Sequence, residues 1–146
     1  MEVTCRDMGH FVGSNVVTID NDALAAGTGD ATEVTGANID VSGYDSGKLL
    51  ISYVTSLTAD KTLSFAVDKR EGASDALCTA DTDVALLAAT VVKTGAATGY
   101  EGVLELDIDF SGKKQYLGLD ITPDLSHSGT DTCTWSAVLI GLKKSV

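Results

Sequence analysis

The stretch "YEGVLELDIDF", Tyr100–Phe110, sets Leu104, Leu106, Ile108 and Phe110 against Glu105, Asp107 and Asp109 at every second residue. A period of two sends successive side chains to opposite faces of an extended chain, so this segment has one core face and one wet face. The "SGKK" that follows has the chemistry of a tight turn. Gln115–Thr122 then repeats the device, with Leu117, Leu119 and Ile121 alternating with Gly118 and Asp120. So short a connection predicts that the two strands form a hairpin.

The same pattern recurs on either side. In "KLLISYVTSL", Lys48–Leu57, one face takes Leu49, Ile51, Tyr53, Thr55 and Leu57. An Ala-Asp-Lys turn separates it from Thr62–Lys69, where Leu63, Phe65 and Val67 alternate with Ser64, Ala66 and Asp68. This pair also reads as a hairpin. Thr132–Leu142, "TCTWSAVLIGL", is apolar on both faces toward its end, which fits a central strand covered on both sides or one buried in an oligomer contact. Fainter strands lie at Asn15–Ile19, Thr32–Val41 and Leu86–Lys93, although Ala85–Thr90 also suits a helical turn. Ala23–Ala31 and Gly95–Gly99 are rich in Gly, Ala and Thr, as loops are. The single proline, Pro123, is placed just after a strand, where its missing N–H breaks no ladder bond. Seven or eight short strands without a clear helix predict an all-β fold. We expect an antiparallel two-sheet β-sandwich of jelly-roll type over residues 15–146, preceded by a short N-terminal arm, residues 1–14.

Composition narrows the function. The chain has 146 residues, 44% hydrophobic but only 5% aromatic, so its core is built mainly of Val, Leu, Ile and Ala. A domain of this size needs neither disulfide nor metal to fold. Ten Lys+Arg against 21 Asp+Glu leave a net charge of −11, which opposes binding to nucleic acid and to anionic membranes. No run of about 18 apolar residues could span a bilayer. The first residues carry Glu2, Asp7 and His10 where a signal peptide needs a basic start and an apolar middle, so synthesis in the cytoplasm is expected. Cys5, Cys78 and Cys133 are odd in number and widely spaced, matching neither a disulfide framework nor a zinc pattern. Cys78 and Cys133 read as small hydrophobes.

Each candidate for chemistry has a plainer reading. Asp124, Ser126, His127 and Asp131 contain a nucleophile, a base and carboxylates, but Ser126 and Ser128 flank His127 directly, and adjacent residues on an extended chain point apart. Their Pro, Asp, Ser and Gly neighbours are what a connection between strands requires. Glu105, Asp107 and Asp109 form a ladder that a hard cation could use, yet they read as a solvated strand face. "DND" at Asp20–Asp22 and "DTD" at Asp81–Asp83 lack the glycine and terminal glutamate of an EF-hand loop, and His10 and His127 sit in no metal-binding spacing. "GTGD", Gly27–Asp30, is not a dinucleotide loop. No catalytic, cofactor-binding or metal residue is therefore assigned. Trp135 alternates with Cys133 and Ala137 and reads as core rather than as a sugar platform, while Tyr44 and Tyr100 flank turns without forming a pattern.

Across residues 15–146 the chain resembles the small jelly-roll cement, or decoration, proteins that coat capsids of tailed bacteriophages. The likeness is carried by a polar arm leading into "VVTIDNDALAAGTGDATEVTGANIDV", then "GKLLISYVTSLTADKTLSFAVDKREGASDA", "YEGVLELDIDFSGKKQYLGLDITPDLS" and the terminal "TCTWSAVLIGL". The three cysteines and the Lys143–Lys144 ending depart from that pattern. The resemblance implies a structural role with no enzymatic activity and no cofactor. The partners would be the major capsid protein and further copies of the chain, as a homotrimer at threefold and quasi-threefold axes of the capsid exterior. On that reading His10, Phe11 and Val12 of the arm reach the capsid or a neighbouring copy, and Val138, Ile140 and Leu142 form the subunit contact. Two rivals make different demands. A glycan- or receptor-binding module on a virion or secreted protein needs an exposed aromatic cluster and a pocket. An acid-dependent hydrolase using Glu105, Asp107 or Asp109 needs carboxylates on different strands of a cleft.

Overall fold

The computed structural model describes residues 12–24, 32–96, 98–126 and 131–143. Nine strands, in chain order, are β1 (Val12–Leu24), β2 (Val34–Thr35), β3 (Ile39–Asp40), β4 (Tyr44–Leu57), β5 (Thr62–Gly72), β6 (Val84–Thr94), β7 (Thr98–Asp109), β8 (Tyr116–Leu125) and β9 (Thr132–Lys143). One sheet has the order β1-β9-β4-β7, and the other the order β2-β8-β5-β6 with β3 also on β8. Every pairing is antiparallel. With β2 and β3 as two pieces of one interrupted strand, four strands face four, and the chain passes between the sheets at nearly every connection. This is the antiparallel jelly-roll sandwich expected from the pattern.

The alternation places the core as predicted. Leu49, Ile51, Tyr53 and Leu57 of β4 and Cys133, Trp135, Ala137 and Leu139 of β9 are buried against Leu63, Phe65 and Val67 of β5 and Leu117, Leu119 and Ile121 of β8. Phe65 lies between two rings of the opposite sheet, 5.9 Å from Tyr53 and 5.9 Å from Trp135, edge-on to the latter. Such tilted contacts add to the area the rings bury. At one end the Phe110 ring lies where a side chain at residue 47 would stand: a Cβ on Gly47 would come within 2.6 Å of it.

Both predicted hairpins are corrected. β4 pairs with β7 and β9, and β5 with β6 and β8, so the turn between β4 and β5 carries the chain across the sandwich. The β7–β8 turn does the same. The turns themselves are tight, with Lys61 N–H donating to Thr58 O and Lys113 N–H to Phe110 O, each at 3.1 Å. Asp60 and Gly112 take the positive φ that such corners need. Alternation identifies which face is apolar. It does not say whether a turn folds that face beside its neighbour or opposite to it. In a sandwich both solutions bury the same residues.

Three further expectations change. Ala85–Thr90 is strand, not helical turn, because it lies within β6 and pairs with β5. Pro123 is inside β8, opposite Phe65. It is tolerated there because β2 flanks β8 only at Ile121 and Asp120, leaving the far side of Pro123 without a ladder to break. β1 begins at Val12, within the stretch 1–14 read as an arm, and Val12 pairs with Leu142. His10 and Phe11 lie outside the described residues.

The outward side of the β8–β5 sheet holds a buried ion pair that the alternation hides. Arg70 Nε and Nη2 donate to Asp120 Oδ2 and Oδ1 at 2.6 and 3.1 Å. The remaining guanidinium donors reach Gly36 O, Asn38 Oδ1 and Cys78 O at 2.6, 2.9 and 3.2 Å. Asn38 Nδ2 in turn donates to Asp75 Oδ1 at 2.9 Å. Three chain segments, β8, residues 36–38 and residues 75–78, are thereby pinned to one guanidinium, whose fork matches a carboxylate in two-point contact. Removing one member leaves the other charged and buried. Asp120→Ala is accordingly expected to lower unfolding free energy by about 3–5 kcal/mol, while the double variant Arg70→Met/Asp120→Leu recovers only part of that loss, because Gly36 O and Cys78 O are left without their donor. Urea denaturation of the three proteins checks it.

Candidate functional site

The outward side of the β1-β9-β4-β7 sheet is a surface held by regular structure. Because Leu49, Ile51 and Tyr53 point inward, Lys48, Leu50, Ser52 and Val54 of β4 point out. By the same alternation Val103, Glu105 and Asp107 of β7, and Ser136, Val138 and Ile140 of β9, share that side. Register fixes the neighbours. Leu50 stands between Glu105 and Val138, Lys48 between Asp107 and Ile140, and Ser52 between Val103 and Ser136. The two serines are small, so the sheet dips along their row while Val54 and Val103 rise beside it, giving an open depression of about 540 Å³. A second, about 550 Å³, lies over Lys48, Asp107, Asp109 and Ile140.

The acidic ladder is part of this surface. Lys48 Nζ lies 2.9 Å from Glu105 Oε2 and 3.2 Å from Asp107 Oδ1, and those hydrogen bonds raise the lysine's pKa. Asp109 bonds instead to Ser111 N–H and Oγ, at 2.8 Å each, which lowers its pKa. All three carboxylates are exposed and sit on one strand, so they do not form the opposed pair that glycoside hydrolysis requires. No group of three or more His, Cys, Asp or Glu side chains among the described residues is arranged to hold a metal ion.

The other polar groups serve the scaffold. Ser126 accepts from Thr62 N–H at 2.8 Å through its Oγ and donates its own N–H to Thr62 O, tying β8 to the start of β5. Asp131 is buried, and its Oδ1 accepts from Thr58 N–H and Oγ at 2.8 and 2.6 Å. Asp124 is within β8. His127, between Ser126 and Asp131, lies outside the described residues. Lys69 and Glu71 pair at one end of the core, with Lys113 Nζ 3.5 Å from the same carboxylate. Burial raises the Glu71 pKa, but the hydrogen bond and charge of Lys69 outweigh it and the net shift is down.

Trp135 is almost wholly buried, as its alternation predicted, and Tyr53, Phe65 and Phe110 are buried with it. Tyr44, Tyr100 and Tyr116 are half-buried, and Lys93 Nζ lies 4.0 Å over the Tyr100 ring. Among the described residues no aromatic side chain is left as a fully exposed platform. Of the predicted contact residues, Val138 and Ile140 are half-buried on the outward surface of β9, and Leu142 follows on the same strand, paired with Val12 and Ser46. The residues that the pattern did not single out are Leu50, Val54 and Val103. Their outward position follows from the alternation, and the register with Val138 makes them one surface.

No protein-family profile and no characterised protein matches the chain in sequence. Solved structures do match in fold. A structure of the Gt strain of infectious bursal disease virus gives a TM-score of 0.51 at 15% identity, covering 88% of this chain and 32% of the viral one. T=1 particles derived from the same virus give 0.51 at 18% identity, covering 88% and 31%. A C-terminal carbohydrate-binding module of a marine laminarinase from Zobellia galactanivorans gives 0.42 at 13%, covering 85% and 98%. The chain thus spans about a third of the viral chains, and at these identities the likeness extends to the sandwich alone.

Cys78 and Cys133 are buried free thiols. Burial pushes Cys133 up from the ordinary 9.0 to about 12. The folded protein therefore holds this proton more tightly than the unfolded chain does. The stabilisation is complete below about pH 9 and is lost as pH rises toward 12. Cys133→Ala should remove this alkaline dependence, up to about 1.4 kcal/mol per pH unit, leaving a pH-independent packing loss. Denaturation midpoints of both proteins between pH 8 and 11 measure the difference.

Proposed function

We propose that this chain is a structural virion protein that binds the outer surface of an assembled bacteriophage capsid and stabilises it by bridging neighbouring capsomers. The observation that carries this reading is the outward surface of the β1-β9-β4-β7 sheet. There Leu50, Val54, Val103, Val138 and Ile140 stand on hydrogen-bonded strands beside a Lys48–Glu105–Asp107 ion group. Apolar side chains mixed with charges on rigid elements suit a protein contact, with an apolar centre and a polar rim. The resemblance to decoration proteins assigns the partner as the major capsid protein. Val138, Ile140 and Leu142 are the proposed subunit contact of a trimer on threefold and quasi-threefold axes, with His10 and Phe11, ahead of β1 in the sequence, reaching the capsid or the adjoining copy.

The mechanism is added interface, not bond chemistry. A protein that binds the assembled shell and not its free subunits shifts the equilibrium toward the shell by mass action. Symmetric copies joined to one another rebind at high effective concentration, so contacts that are weak singly hold together. A ring of three buries unlike surfaces without leaving an open end. The glycan-binding alternative needs an aromatic platform, and the buried and half-buried rings give it no support among the described residues.

Co-sedimentation with intact capsids tests the reading. The wild-type chain should pellet with capsids at a saturable stoichiometry and raise the temperature at which they release DNA. Ile140→Asp should weaken binding by at least ~10-fold, about 1.4 kcal/mol, with its own melting temperature little changed. A chain that stays in the supernatant with every capsid offered, and binds an immobilised glycan, sinks the proposal.

A further inference from the structure

Each sheet of the sandwich ends in strands that keep one ladder unpaired. Among the described residues these edges are β1 and β7 in one sheet, and β6 with the short β2 and β3 in the other. All but β7 carry devices that blunt an edge. β2 and β3 are two residues long each. The pairing of β1 with β9 is interrupted by two register shifts and that of β6 with β5 by three. Such irregularities twist an edge and break its ladder. β7 has none of them. Thr98–Asp109 pairs with Ser46–Leu57 residue for residue, and it contains neither proline nor lysine.

Register also fixes which groups of β7 face the open side. Phe110 N–H donates to Asp45 O at 2.9 Å, one step beyond the Ser46–Asp109 pair. In an antiparallel ladder, hydrogen-bonded pairs alternate with pairs whose N–H and C=O groups turn away. Ile108, Leu106, Leu104 and Gly102 therefore bond to β4, while Glu101, Val103, Glu105, Asp107 and Asp109 aim their backbone groups at the open edge. Those same residues send their side chains to the outward side, where all are exposed. On the inner side Leu104 and Leu106 pack on the core yet remain half-buried, as do Leu86, Leu87 and Val92 of β6 in the other sheet.

We infer that the β7 edge takes up an extended segment of a partner protein, cationic on one side and apolar on the other, as a further strand of this sheet, antiparallel like the rest. In strand addition the main chain supplies affinity and alternate side chains supply specificity. Charge selects the occupant. Glu101, Glu105, Asp107 and Asp109 line the outward side of the edge. They outnumber Lys48, which bonds to two of them, and Lys93, which lies over the Tyr100 ring. A second copy joining through β7 would set this row against itself, and like charges opposite one another on adjacent strands are destabilising. A strand with Lys or Arg at alternate positions instead meets carboxylates along the row. Its other side chains turn inward over Leu104 and Leu106, where apolar residues fit. The carboxylates thus keep β7 from joining its own kind and mark it for a cationic strand. This contact uses the backbone edge, goes beyond the face proposed to meet a capsid, and does not depend on it.

The test is titration of the full chain, at low salt, into a labelled, end-capped peptide of alternating lysine and valine, about nine residues long. The wild type should bind it with a Kd of about 10–100 μM. Val103→Pro removes an outward N–H and puts its ring in the path of the added strand, while the ladder to β4 stays whole, since an edge strand tolerates proline where its nitrogen faces out. It should weaken binding at least ~10-fold, with an unchanged circular dichroism spectrum. Glu101→Gln/Glu105→Gln should cost about as much at low salt, the difference shrinking as salt screens the charges. Two measurements need no variant. The same peptide N-methylated at its lysines keeps its charge, loses the donors that face β7, and should not bind. Hydrogen exchange of the unaltered protein with saturating peptide should protect the amides of Glu101, Val103, Glu105 and Asp107, and not those of β1 or β6. No binding of the plain peptide overturns the inference. So does equal binding by the N-methylated peptide or by Val103→Pro, which would reduce the contact to charge attraction, or protection that falls on β1 or β6 instead. The titration uses no capsid and capsid co-sedimentation uses no peptide, so failure of one reading is told apart from failure of the other.

Discussion

Phe65 packs between Tyr53 and Trp135, one ring from β5 against two from β4 and β9, and the two sheets are joined through that contact. With so few aromatic residues in the chain, most of the core is aliphatic and non-directional. The three rings supply shape where Leu, Ile and Val supply area. Tyr53 and Trp135 are opposite one another in the β4–β9 register, so a slip of one residue between those strands would carry one ring to the wet side and empty half the contact. The surface assigned to function is the reverse side of the same two strands. The register that seats Tyr53 beside Trp135 also sets Leu50 beside Val138 and Lys48 beside Ile140.

Polar groups divide by what surrounds them. Arg70 and Asp120 are covered by the connections that they themselves hold in place, so their hydrogen bonds and the fold of those segments are one structure. Lys48, Glu105 and Asp107 remain in water, where salt screens them and their contribution to stability is small. The first group specifies how the chain is wound over the second sheet. The second keeps an otherwise apolar surface dissolved and gives it a charge pattern for a partner to match.

Individual strands were legible in the sequence because burial on one side imposes alternation, and β4, β5, β7 and β8 all show it. Their partners were not legible. The turns after Leu57 and after Phe110 have hairpin chemistry but cross between the sheets, since a two-residue period is blind to which sheet receives the next strand. Asp120 occupies a polar position of the alternation and Arg70 lies just past the Thr62–Lys69 stretch, so nothing in the period marks either as buried. They are buried by segments from residues 36–38 and 75–78, far away in sequence. β6 was ambiguous for a related reason: three extra residues in its pairing spoil the period at the very strand where it was sought. The outward position of Val138 and Ile140 on β9 was readable, because they alternate with Trp135, Ala137 and Leu139, which the core takes.

β9 lies between β1 and β4, so the first and fourth of the described strands are joined through the ninth. Until β9 is in place, β1 and the side of β4 that β9 occupies each keep an unpaired ladder. The sheet therefore closes by insertion of a strand into a waiting slot. Contacts so distant along the chain make this a slow step. In a cell making many copies at once, the dangerous interval is that wait, when the slot in one chain accepts β9 of another as readily as its own.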